Sequence, residues 1–157
     1  MSEVHRIDEC MKRTIISARA EMPLREAAAI MMEKKVGSLP IVDETGALVG
    51  LITIREIIQI FLPDFVHLLD NIDFIKDYGA MASLSNEDLR KVEKLTIADV
   101  MMEPFSVDEH ASLIRAMSVM QKHNMLDLPI VKNGKLVGIV SWVDIGCAFV
   151  ADWLHEK

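Results

Sequence analysis

Cysteine is scarce in this chain: Cys10 and Cys147 are the only two, far apart and outside any C-x-x-C pair. That speaks against a redox or metal role and leaves two reduced, buried thiols as the expectation. Long apolar runs are missing as well. Arg55, Asp64 and Asp70 interrupt the richest region, so no stretch approaches the length that spans a bilayer. The opening MSEVHRIDECMKR lacks the apolar core of a signal peptide, and a cytoplasmic location is expected. There is no excess of basic charge either. The formal net charge is −7, which argues against a nucleic-acid backbone as the main partner but not against a small anion held locally.

Catalytic signatures are absent too. Among the histidines His5, His67, His110, His123 and His155, no two fall at the i, i+4 spacing of a helical metal-ligand pair. The fragment HRIDEC reads as an exposed helix face rather than a metal cluster. No G-x-S-x-G, P-loop or Rossmann glycine pattern occurs. The chain is therefore not expected to be an enzyme.

What the chain does contain is a repeat. With 51% hydrophobic and 26% charged residues it has the make-up of a globular protein, long enough for one domain or two small ones sharing a core. The segment from Cys10 to Ile57 aligns with the segment from Val100 to Ile145. Met11 matches Met101, Leu24 matches Leu113 and Met31 matches Met120. LPIV occurs at Leu39–Val42 and again at Leu128–Val131, and LVG at Leu48–Gly50 and again at Leu136–Gly138. Thr53 then matches Ser141, and Glu56 matches Asp144.

Each copy has the same local physics. Leu24, Ala27, Ala28, Met31 and Met32 recur at helical spacing after Pro23, a residue suited to a first helical turn. Leu113, Ala116, Met117 and Met120 form the matching stripe, and the methionines read as flexible core filler. Two apolar runs joined by DETG in one copy and KNG in the other predict hairpins. Thr53 and Ser141 suit the N-caps of closing helices. Each copy therefore reads β-α-β-β-α.

The pattern of LPIV, hairpin and G-x-x-[ST]-x-x-[DE], written twice in register, resembles a tandem pair of cystathionine β-synthase (CBS) domains, a Bateman module. The resemblance implies an α/β (α+β) fold of two repeats packed with pseudo-twofold symmetry. Residues 1–61 would form the first repeat with its N-terminal helix. Residues 62–94 would be a helical insert, and 95–157 the second repeat with its C-terminal helix. In the insert, Phe61, Phe65, Leu68, Leu69, Ile72 and Ile75 recur at helical spacing, Gly79 reads as a stop, and Ser85 with Asp88 as a cap.

The strand-to-helix junctions carry the functional expectation. A hydroxyl there can cap the helix beside free N–H groups that favour an anion. A carboxylate three residues later can accept from a vicinal diol, although the same pair also suits a plain capping box. The resemblance tips this toward ligand contact and implies AMP, ADP, ATP or S-adenosylmethionine bound between the repeats. One cleft would use Ser141 and Asp144 with Ile16, Val36 and Gly37. The other would use Thr53, Arg55 and Glu56 with Phe105, Ser106 and Met125. Glu56, one methylene longer than the aspartate of the family pattern, and Asp127, which would repel a phosphate if it faced a cleft, make the Asp144 cleft the favoured one. Lys12, Arg13 and Arg55 are the candidate phosphate partners. The overall expectation is a regulatory module without an obligatory cofactor, which forms a homodimer and reports to a regulated enzyme or transporter without entering the membrane. The alternative is a structural module with empty clefts that uses the insert as an interaction surface.

Overall fold

The leading segments of the two repeats cross over, and the site is built around that crossing. The computed structural model describes residues 6–61 and 86–155. The expected insert positions Phe65 to Ile75, Gly79 and Ser85 lie outside the described residues. Along the chain come α1 (Ile7–Cys10), α2 (Leu24–Lys34), β1 (Ser38–Val42), β2 (Leu48–Thr53) and α3 (Ile54–Phe61). After α4 (Asn86–Val92) follow α5 (Ile97–Val100), β3 (Val107–Asp108), α6 (Leu113–Lys122), β4 (Asp127–Lys132), β5 (Lys135–Ser141) and α7 (Trp142–His155).

The β-α-β-β-α order holds in full in the second repeat. In the first, the opening strand shrinks to a single parallel bridge between Ala18 and Ile41. In α2, Leu24, Ala27 and Met31 are buried, while Met32, expected on the same face, is 77% exposed. One more residue along a helix turns the side chain by about 100°, enough to carry it off a narrow stripe. Pro23 stands just before the first helical residue, at the N-cap. Both α2 and α6 run into a left-handed residue, Lys35 at φ 53° and Asn124 at φ 51°.

The hairpins form as the turn residues require. Asn133 and Gly134 both have positive φ, the conformation of a tight primed turn that matches strand twist. Asp43 Oδ1 instead organises the longer loop, accepting from the amides of Thr45 and Ala47 at 2.8 and 3.0 Å. Registers agree between copies: Ser38 faces Thr53, and Asp127 faces Ser141. Each hairpin also breaks register at the same place, Ile41/Val42 and Ile130/Val131.

The crossing comes from the leading segments. Lys12 exchanges both backbone hydrogen bonds with Ile139 of β5, at 2.8 and 3.0 Å. Met102 does the same with Leu51 of β2, at 2.9 and 3.1 Å. Ile7 and Met11 accordingly sit in the second repeat's core with Leu113, Met120, Leu128, Ile130 and Ile145. Ile97 sits in the first repeat's core with Leu24, Met31, Leu39, Ile41 and Ile52. Each fully buried aliphatic side chain of this kind stabilises by about 1.5–3 kcal/mol, so neither repeat is complete without the other's leader. Among the described residues, no helix is long and apolar enough to cross a membrane.

Candidate functional site

Each β-to-α junction forms the same small polar box. At the start of α7 the amide and hydroxyl of Ser141 both donate to Asp144 Oδ2, at 2.8 and 2.7 Å. The Asp144 amide donates back to Ser141 Oγ at 3.1 Å. At the start of α3 the Thr53 amide donates to Glu56 Oε2 at 2.8 Å, and the Thr53 hydroxyl donates to the same oxygen. The longer glutamate therefore folds back and makes the bonds that the aspartate makes. Capping and ligand contact are not exclusive here, because a carboxylate has about four lone-pair sites and the box uses one oxygen.

The second oxygen of Asp144 is also engaged. Lys12, brought over by the crossing, places Nζ 3.3 Å from Oδ1. Burial pushes the Asp144 carboxyl upward, but the Ser141 hydrogen bonds and Lys12 outweigh it and hold it below the ordinary 3.8. Asp144 is thus an ionised acceptor in a partly shielded place.

Beside the other box lies a cleft of about 430 Å³. Its walls come from Thr53 to Gln59 except Ile57, from Gly37 and Ser38, and from the second repeat's 123–127 segment and Met102. The floor joins the two repeats directly, since the Ser38 hydroxyl donates to Asp127 Oδ2 at 2.9 Å. These two residues hold the same place in the repeat, immediately before LPIV. His123 lines the cleft and is stacked on Phe105, with ring centroids 3.6 Å apart. Among the described residues, Arg55 lines the cleft with no ion-pair partner.

The expected residues distribute as follows. Thr53, Arg55, Glu56 and Met125 converge on this cleft, and Phe105 stands behind His123. Ser106 does not line it; it borders a separate open depression with Asp108, His110 and Arg115. Gly37, expected beside Asp144, lines the Glu56 cleft. Ile16 and Val36 are half-buried against the first repeat's core. Asp127 does face the cleft, but its Oδ2 is held by Ser38. His123, Asn124 and Gln59 were not singled out by sequence. The available signal was their place next to matched motifs, one turn before LPIV or just past Glu56.

Both thiols are free, but neither is buried: Cys10 is half-buried and Cys147 exposed. Cys147 lies on the side of α7 away from Ile145, which takes the core position. Burial, then the Asp144 and Glu9 carboxylates, raise the Cys10 thiol above 9.0, which makes it a poor nucleophile. Among the described residues, no group of three or more His, Cys, Asp or Glu side chains could hold a metal.

The family model for the CBS domain matches residues 4–63 and 97–146. The YlbB protein of Bacillus subtilis strain 168 is 32% identical over 122 residues, 76% of this chain. The match spans 66% of YlbB's length. The CBS domain pair of protein MJ0100, solved in complex with 5′-methylthioadenosine and S-adenosyl-L-methionine, superposes with a TM-score of 0.69 at 24% identity. That superposition covers 96% of this chain and 99% of that one. CBSX2 of Arabidopsis thaliana, solved in complex with AMP, gives a TM-score of 0.71 at 19% identity, covering 95% and 98%. With the same element order written twice, the leaders exchanged and a family match on both copies, the chain belongs to the CBS domain family, as a tandem pair or Bateman module.

Proposed function

We propose that this CBS pair is a regulatory module that binds an adenosine ligand between its repeats and signals occupancy to a partner protein, an enzyme or transporter. The observation that carries the reading is the cleft beside Glu56. It combines a hydroxyl–carboxylate box for a ribose, Arg55 for a phosphate, and apolar walls from Met102, Met125 and Leu51 for a base. Two CBS pairs of the same fold were solved with AMP and with S-adenosyl-L-methionine, and the ligand class is drawn from them. The Ser141–Asp144 box, with Lys12 beside it, is the proposed second position.

A second reading has its own observation. Both boxes satisfy themselves as helix caps, and α7 exposes a row of large apolar side chains, as a structural or dimerising module with empty clefts would. A ligand panel separates the two. Thermal midpoints should be measured with AMP, ADP, ATP and S-adenosylmethionine at millimolar concentration, with calorimetric titration of any that act. A ligand at a hundred times its dissociation constant should add about 2.7 kcal/mol. No midpoint shift and no heat with any of the four would leave only the structural reading.

A further inference from the structure

The two halves of the module present different chemistry at one matched position. Met11 and Met101 correspond in the repeat, so Lys12 corresponds to Met102. The backbone confirms the match, since Lys12 bridges Ile139 while Met102 bridges Leu51. Met102 lines the cleft beside Glu56 as an apolar wall. Lys12, at the corresponding place in the other half, is a cation whose Nζ lies 3.3 Å from Asp144 Oδ1.

The contact is specific in a way a surface ion pair need not be. The backbone of Lys12 is fixed by two hydrogen bonds to β5. Its neighbour Met11 is buried in the second repeat's core. The side chain itself is 63% exposed and free to swing, whereas Asp144 is only 14% exposed and clamped by Ser141. A nucleoside whose diol bonds Asp144 takes over the oxygen that Lys12 now contacts. A 5′-phosphate in that half meets the like charge of Asp144, and a mobile cation anchored beside it offsets that repulsion.

We propose that Lys12, carried across from the first repeat's leading segment, is the residue that selects phosphorylated over unphosphorylated adenosine ligands in the Asp144 half. This rests on the reading that the module binds adenosine compounds. It adds which side chain sets the charge preference, and in which half. The corresponding methionine gives the Glu56 half no such cation from its leader.

The test compares AMP with adenosine, which differ only in the phosphate. Both are titrated calorimetrically into the full chain, into Glu56→Ala, and into Glu56→Ala carrying Lys12→Met or Lys12→Arg. Lys12→Met gives the first leader the side chain of the second, and melting curves check that each variant folds. With the Glu56 half disabled, Lys12→Met should weaken AMP about five- to tenfold, the value of a charge-assisted contact discounted for exposure. Adenosine affinity should stay within about twofold, and Lys12→Arg should restore AMP binding. Equal changes for both ligands, or none, overturn the role of Lys12 while leaving the adenosine reading standing. Binding that vanishes for both ligands in Glu56→Ala alone overturns the Asp144 half as a site. A native chain that binds neither AMP nor adenosine overturns the role of Lys12, and it overturns the functional reading as well only if ADP, ATP and S-adenosylmethionine also fail to bind.

Discussion

Asp144 shows how much one side chain is asked to do. It closes the cap of α7, anchors Lys12 from the crossing leader and stands as the proposed ribose acceptor. Its pH behaviour follows from its partners. Burial raises its pKa, but Ser141 and Lys12 lower it more, so the folded value lies below the unfolded one. A depressed carboxylate stabilises fully above the unfolded pKa and loses that contribution as pH falls through the folded value. Asp144→Asn should therefore lower the urea midpoint at neutral pH and flatten its fall between about pH 5 and about pH 2. Parallel acid limbs for the native chain and the variant would show that the carboxylate is not coupled to folding. Ser141→Ala removes the cap hydroxyl and should cost about 1 kcal/mol without any ligand present. A loss under a few tenths would mean that the box is held by the Asp144 contacts alone. At the Glu56 box the extra methylene folds back, so the longer carboxylate still accepts from the Thr53 amide and closes the cap of α3.

At the scale of elements, the repeat, its hairpins and its closing helices were legible because periodicity and turn chemistry are local. LPIV, KNG and the hydroxyl–carboxylate pairs each act within a few residues. The exchange of leaders was not legible in local patterning; only the family resemblance implied that each cleft borrows the other repeat's leading segment. Ile7 and Ile97 are apolar residues in near-identical helical turns, and nothing local says which of two similar cores each will enter. The cleft was half legible for the same reason: Thr53, Arg55 and Glu56 belong to a motif. His123 and Asn124 enter only because α6 ends where the other repeat begins its wall. The glycines hold the record of the exchange. A Cβ on Gly50 would sit 2.5 Å from Met101 Sδ, so the glycine leaves room for the crossing leader's side chain over β2. A Cβ on Gly138 would meet Met11 Sδ and also the Lys12 carbonyl at 3.2 Å. A methionine can turn aside, whereas that carbonyl bridges flanking strand backbone. Gly138→Ala should destabilise by about 1–3 kcal/mol and Gly50→Ala by less, read from denaturant midpoints. The reverse order would mean that the Met11 crossing is the looser of the two.

For the whole molecule, the largest group of exposed large apolar side chains among the described residues is on the closing helix α7. On α7, Val143, Phe149, Val150, Trp153 and Leu154 are all exposed, Val143 and Trp153 above 70%. Ile54 and Ile58 of α3 are exposed as well, but they line the cleft beside Glu56. So much apolar surface on one helix is unusual for a monomer in water. A second copy offers the same surface turned by a twofold, which an isologous interface requires. The chain should therefore sediment at twice its own mass. Val150→Glu with Trp153→Glu places four buried charges in such a seam and should give a monomer with a cooperative melt. A native chain already monomeric at micromolar concentration, or a double variant of unchanged mass, would assign the α7 face to some other occupant. The geometry adds a further arm to the same measurement. Asp144 lies in the first turn of α7 and Trp153 near its end, so one 14-residue helix joins the proposed ligand position to the proposed seam. Coupling between the two must be reciprocal: if AMP changes the dimer dissociation constant by some factor, dimerisation changes AMP affinity by the same factor. Sedimentation with and without saturating AMP reads the first factor, and titration of the native chain against the double glutamate variant reads the second. A shared factor different from one would couple the proposed ligand position to the proposed seam. Two factors of one would restrict α7 to holding the copies together.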